Sequence, residues 1–135
     1  KIAQMHTLIM QSNPKLAKYL QAQGVDFVAF GFRWMNCLLV REFSLSATLR
    51  LWDTLLAEGE DFSKFHVCIC AALLLRVGQL LLSTKPELSA SSSGGDDCFQ
   101  QCMILLQSPP SLGYSVQDVE ELLAEGYILR SIYAP

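Results

Sequence analysis

Apolar residues recur at three- and four-residue spacings along most of the chain, and no run of strand length alternates with period two. The pattern predicts an all-α fold of about six helices. Residues 1–11 (KIAQMHTLIMQ) open directly in apolar periodicity with no capping residue ahead of them, and the first residue is Lys1 rather than Met. The expectation is a piece of a longer protein. Asn13 and Pro14 pair an N-cap with proline at the first helical position, and Leu16, Tyr19 and Leu20 supply the stripe of a short helix that stops near Gly24. From Asp26 as a cap, Phe27, Phe30, Trp34 and Leu38 draw one aromatic-rich face on a helix running to about Arg41. Arg33 and Asn36 fall off that face. Ser44 or Ser46 caps the next helix, with Leu49, Trp52 and Leu56 along one side and Gly59 as its stop.

Ser63 begins a long helix that ends near Ser83. Its centre, Val67 to Leu82 (VCICAALLLRVGQLLL), is shorter than the roughly 20 apolar residues a bilayer requires and is interrupted by Arg76 and Gln79. A helix apolar on nearly every side belongs at the centre of a helical protein. Lys85 to Asp97 (KPELSASSSGGDD) has the composition of a flexible surface loop. Cys98 to Gln107 forms another apolar helix, stopped by Pro109 and Pro110. Ser115 and Asp118 resemble a capping box, opening a last helix in which Val116, Val119, Leu122, Leu123 and Tyr127 face inward. Asp118, Glu120 and Glu121 near its start and Arg130 near its end suit the helix dipole.

At 135 residues the chain is long enough for one domain or for one lobe of a larger one. With 51% hydrophobic and 17% charged residues it is rich in apolar surface, so part of that surface is expected to lie against something else. Self-association through exposed apolar surface stays open. A net charge of -3, with no cluster of lysine and arginine, argues against nucleic acid as a partner. The five cysteines sit in apolar helical stretches, as reduced thiols packing like small hydrophobes in a cytosolic protein do. Cys68 and Cys70 point to nearly opposite faces of a helix, and Cys98 and Cys102 share a face without a second pair to complete a zinc set. No metal or cofactor is expected. Gly94-Gly95 lacks the Lys-Ser/Thr of a phosphate loop, His6 and His66 are lone histidines, and no nucleophile stands with a base.

One region concentrates unusual residues. Phe30 to Glu42 (FGFRWMNCLLVRE) and Arg50 to Glu58 (RLWDTLLAE) together hold three arginines, two tryptophans and an aspartate. Asp53 within an apolar sequence needs a donor if buried, and Arg33, Arg41 or Arg50 can supply a bidentate one. The expectation is a packed junction, with Asp53 at least partly buried and Trp34 or Trp52 beside the pair.

The same residues carry a resemblance. FRWMNCLLVREF followed by RLWDTLLAE, with SKFHVCICAALLLR behind, resembles the C-terminal half of a TBC domain, the module of Rab GTPase-activating proteins. Phe32-Arg33-Trp34, Arg41-Glu42-Phe43 and Leu51-Trp52-Asp53 stand in that family's order and spacing. The resemblance runs from about Leu16 to Tyr133, apart from the Ser/Gly stretch after Ser83, which resembles an insertion. RLWDT and the final LLAEGYILR are most similar to the Golgi-associated branch of the family.

The resemblance implies a C-terminal lobe that supports a catalytic N-terminal lobe. In the family an arginine and a glutamine, from I-x-x-D-x-x-R and Y-x-Q motifs of the N-terminal half, act on the nucleotide of a Rab GTPase. No I-x-x-D-x-x-R occurs here. Tyr19-Leu20-Gln21 matches Y-x-Q formally, but it lies too close before the RW and LWD motifs and is followed by Ala22 rather than glycine. No catalytic residue is therefore assigned to this chain, and Arg33, Trp34, Arg41, Glu42, Arg50, Trp52 and Asp53 are read as a structural motif, with direct contact to the GTPase as the alternative role of its arginines. The implied partners are a Rab-family GTPase and the N-terminal half of the same domain, in the cytoplasm at Golgi or other endomembranes, in vesicle trafficking. The role is regulation of a GTPase rather than an enzymatic reaction of its own. The alternative is a helical adaptor or scaffold without GTPase-activating function.

Overall fold

The computed structural model describes residues 1–90, 95–107 and 110–133, with the backbone alone at 84–90, 95–98, 110 and 112. Helix α5 (Phe62–Ala90) organises the rest. Its residues from Phe65 to Leu74 are all buried, and it is packed by α1 (Ile2–Ser12), α2 (Pro14–Ala22), α3 (Val28–Asn36), α4 (Leu45–Ala57), α6 (Gly95–Gln107) and α7 (Val116–Tyr133). Gly59–Ser83 is long and apolar enough to cross a membrane by length and composition, yet most of it is buried in this helical core. Every regular element among the described residues is a helix, with short 3₁₀ turns at Gly59–Asp61 and Pro110–Gly113. Seven α-helices are described rather than about six, because residues 2–12 form a helix separate from α2.

Local chemistry sets most of the ends. The Asn13 side chain accepts a hydrogen bond from the Leu16 N–H at 3.1 Å, with Pro14 in the first turn of α2. Gly24 ends α2 with φ +75°, and the Val25 N–H returns to the Leu20 carbonyl, the six-to-one bond of a Schellman motif. Ser44, rather than Ser46, caps α4 through the Ala47 N–H, and Gly59 follows the end of that helix at φ +60°. Ser115 and Asp118 satisfy each other's backbone N–H groups at 3.1 and 2.9 Å, which opens α7 with a complete capping box.

Four expectations require correction. Helix α3 ends at Asn36, not near Arg41, because Leu38 and Leu39 adopt φ 50° and 65° and turn the chain left-handed. On α4 the buried residues are Ala47, Thr48, Leu51 and Leu55, whereas Leu49 and Leu56 are exposed and Trp52 is half-buried. That helix is apolar around most of its circumference, so periodicity alone did not determine its inner face. Val116 and Tyr127 are both exposed on α7, the Tyr127 ring lying over Phe65 with centroids 4.3 Å apart, and Gly126 takes an inner position where α7 closes on Ile69 and Phe65 of α5. The flexible loop expected at 85–97 is not found at either of its ends: α5 continues to Ala90 and α6 begins at Gly95. The rest of that expected loop, 91–94, lies outside the described residues.

Candidate functional site: a charged junction beneath a left-handed turn

Two successive left-handed leucines are unusual. The conformation costs roughly 1–2 kcal/mol at each residue with a Cβ, so it persists only where surrounding contacts determine it. Here Leu38 occupies the position after the helix cap where glycine is customary, and the Leu39 N–H closes on the Trp34 carbonyl at 3.1 Å. The Trp52 indole Nε1 donates to the Leu38 carbonyl at 2.9 Å, so α4 braces the turn from outside. The Leu39 side chain is fully buried beneath it.

The turn then delivers Glu42 into the interior, where the residue is 0% exposed. Its Oε1 accepts from Arg33 Nε at 2.9 Å and from Arg33 Nη2, and Nη2 also donates to the Gln107 carbonyl at the end of α6. Ser111 Oγ donates to the Glu42 carbonyl at 2.6 Å. One guanidinium thus joins α3, the turn and the C-terminus of α6, a favourable place for a cation. Burial pushes the Glu42 carboxyl above its ordinary range, and the Arg33 hydrogen bond opposes that rise without cancelling it. Glu42 Oε2 has no hydrogen-bond partner among the described residues.

Not all residues of the sequence motif meet here. Arg33, Trp34, Glu42 and Trp52 surround the turn, and Trp34 is fully buried against Phe30, with ring centroids 4.9 Å apart. Arg50 lies on the α7 side of α4, donating to Thr54 Oγ1 at 2.6 Å and approaching Glu120 at 3.5 Å. Arg41 is exposed. The Asp53 pairing is overturned: Asp53 is exposed, and no ion pair or hydrogen bond of its side chain is recorded among the described residues. It falls between the buried positions Leu51 and Leu55 in sequence, and the helical turn therefore points it outward. The arginine-bound carboxylate is Glu42.

Two clamps lacked any local signal. Arg76 grips Glu125 with Nε at 3.0 and 3.2 Å and Nη2 at 2.8 Å, and lies 5.7 Å from the Tyr114 ring centre. The Glu125 hydrogen bond raises the arginine's already high pKa further. Glu58 accepts from Arg130 at 2.9 Å and from the Tyr127 hydroxyl, and these bonds hold its carboxyl below the usual range. Arg130 also lies 4.9 Å from the Phe65 and Tyr127 ring centres. These contacts hold α7 against α5 and the end of α4.

The arrangement offers little chemistry of its own. A groove of about 570 Å³ between α5 and α7 is lined by Leu75, Arg76, Gln79, Glu125, Ile128 and Leu129, and its two charged side chains are bound to each other. Burial raises the pKa of the Cys68 and Cys70 thiols, the opposite of nucleophile activation. Cys102 is buried, while the side chain of Cys98 lies outside the described residues, as does any pairing of the two. Among the described residues no three His, Cys, Asp or Glu side chains are grouped to hold a metal. His6 is exposed and T-stacked with Phe27, ring centroids 4.9 Å apart, and His66 is buried with Nδ1 3.0 Å from Lys1 Nζ. Tyr19 and Leu20 are buried on α2 and Gln21 is exposed.

Comparison with known proteins places this arrangement. Residues 1–82 match the Rab-GTPase-TBC domain. The chain is 39% identical over 135 residues to the GTPase-activating protein gyp1 of Schizosaccharomyces pombe, covering 99% of this chain and 24% of that protein. It is 36% identical over 134 residues to TBC1 domain family member 22A of Mus musculus, again covering 99% and 24%. The crystal structure of the Ypt/Rab-GAP domain of Gyp1p matches with a TM-score of 0.78 at 32% identity, covering 98% of this chain and 37% of that one. The chain spans about a quarter of the length of these curated relatives. With its seven helices matching part of a solved Rab-GAP domain and more than half its length matching the family, the chain belongs to the Rab-GTPase-TBC domain family.

Proposed function

We propose that this chain is the C-terminal lobe of a Rab GTPase-activating domain and that it supports an N-terminal lobe carrying the catalytic arginine and glutamine. The observation that carries the proposal is its match to 37% of the Gyp1p Rab-GAP domain over nearly its whole length. The disposition of its arginines supports the same reading. A finger that stabilises transferred phosphate must project toward a partner, whereas Arg33, Arg76 and Arg130 are each held by a carboxylate of this fold. Arg33 and Glu42 define the course of the chain between α3 and α4 rather than reaching a nucleotide. The partners are a Rab-family GTPase and the N-terminal half of the same domain, and the setting is the cytoplasmic face of Golgi or other endomembranes.

Single-turnover GTP hydrolysis on a panel of Rab GTPases tests this reading. The 135-residue chain alone is expected to leave the intrinsic rate unchanged, and a whole Rab-GAP domain containing it to raise that rate by about 10³-fold or more, the scale of an arginine finger. Strong stimulation by the short chain would refute the division of labour. No stimulation by the whole domain would leave the helical scaffold as the reading.

A further inference from the structure

Helix α4 carries more apolar surface than this fold uses. Its buried side consists of Ala47, Thr48, Leu51 and Leu55. About a third of a turn round the helix, at 3.6 residues per turn, lies a second stripe. Leu45, Leu49 and Leu56 are 73%, 52% and 71% exposed, and half-buried Trp52 completes their spacing of four, three and four residues. Such spacing keeps all four on one face. Three leucines exposed in line on one helix are characteristic of a surface that another element covers. At the outer edge of the stripe stands Asp53, exposed and without a recorded partner among the described residues.

We propose that this stripe is an internal interface of the whole Rab-GAP domain, covered by a helix from the part of the domain outside this fold. That helix sets apolar side chains on Leu45, Leu49 and Leu56 and a lysine or arginine against Asp53. The inference rests on the reading of the chain as one lobe. The occupant follows from size and charge. In the Gyp1p crystal structure the matching fold is 37% of a larger Rab-GAP chain, so a covalently joined lobe is at hand at high effective concentration. An anionic membrane is disfavoured, since the stripe is edged by an acid and carries no lysine. A second copy is disfavoured too, since the four residues of its own stripe include no cation to set against Asp53.

The test compares Leu49→Lys/Leu56→Lys in the whole Rab-GAP domain and in this chain alone, with thermal unfolding, light scattering and co-sedimentation with anionic vesicles as readouts. In the whole domain the pair of substitutions is expected to lower the Tm by about 5 °C or more, or to prevent folding. In this chain alone, a monomer before and after, the Tm shifts by no more than about 2 °C. Asp53→Lys in the whole domain lowers the Tm more than Asp53→Asn does. An unchanged whole domain overturns the proposal. So does a chain that is a dimer and becomes a monomer on substitution, or one that binds anionic vesicles only when unsubstituted. The functional reading fails separately: a whole domain that loses stability on substitution yet stimulates no Rab keeps the interface and removes the activity.

Discussion

Arg33 joins three parts of the chain through one planar group: Glu42 in the turn, the Gln107 carbonyl ending α6, and its own helix α3. Removing the guanidinium leaves Glu42 fully buried and unpaired, which costs roughly 3–5 kcal/mol, whereas removing the carboxylate leaves Arg33 partly exposed and still bonded to the Gln107 carbonyl, which costs less. Arg33→Ala is therefore expected to lose stability on that scale in urea titrations of this chain and Glu42→Ala to lose less, with the double variant losing less than the sum. Asp53→Ala in the same chain changes stability by no more than about 0.5 kcal/mol, as an exposed position should. That contrast marks where sequence reasoning erred. An arginine-carboxylate junction near the tryptophans was legible, but Glu42 was read as lying past the end of a continuous helix, and only the left-handed turn carries it inward. His66 makes stability depend on pH. The unfolded imidazole takes up a proton below its ordinary 6.5, whereas burial and nearby Lys1 keep the folded ring neutral down to about 4. Acid therefore favours the unfolded chain across that window, and stability falls as pH drops from about 6.5 toward 4. Glu42 acts in the opposite sense, since its raised carboxyl binds a proton more readily in the folded state. The difference between the parent and His66→Gln isolates the histidine: the parent loses more stability than the variant between pH 7 and pH 5. Equal losses would show that the ring does not titrate on unfolding.

At the level of elements, α2, α4 and α7 were readable from their caps, because capping is chemistry within three or four residues of sequence. Helix α3 was not, because Leu38 stands where a glycine would have announced the stop. Its brace is the Trp52 indole, so Trp52→Phe removes a hydrogen bond and leaves the Leu38 carbonyl to find another partner. A loss of about 1–2 kcal/mol is expected in urea titrations. The clamps of α7 were invisible for a different reason: Arg76 and Glu125 are 49 positions apart, and Glu58 and Arg130 are 72 apart. No periodicity relates such pairs. Close approach of α2 to α5 was equally hidden. A Cβ at Gly78 would sit 2.3 Å from Leu16 Cδ2, so Gly78→Ala forces that leucine to shift and costs about 1–3 kcal/mol. Adding Leu16→Val, which withdraws the Cδ atoms, should recover part of the loss in urea titrations. A fully additive double variant would mean that the two helices are not in contact there.

The molecule as a whole is a layer of helices around α5, with its ionic pairs placed between elements rather than gathered around an open site. Of the residues singled out in the sequence, Trp34 fills the core, Trp52 ties α4 to the turn, and Arg33 with Glu42 ties the turn to α6, while Arg41 and Asp53 are exposed. The family was legible because those residues are adjacent in sequence, whereas their geometry was not, because it depends on a turn that no local residue declares. The central claim is that Arg33 serves to hold the fold together and that no arginine of this region acts on nucleotide. It is tested most directly by single-turnover GTP hydrolysis in a whole Rab-GAP domain carrying Arg33→Ala, Arg41→Ala or Arg50→Ala, with rates divided by the folded fraction. Each variant is predicted to keep a rate per folded molecule within about threefold of the parent, with Arg33→Ala lowering the folded fraction. A loss of about 10³-fold in a variant whose circular dichroism and Tm match the parent would contradict the claim and identify that arginine as a finger.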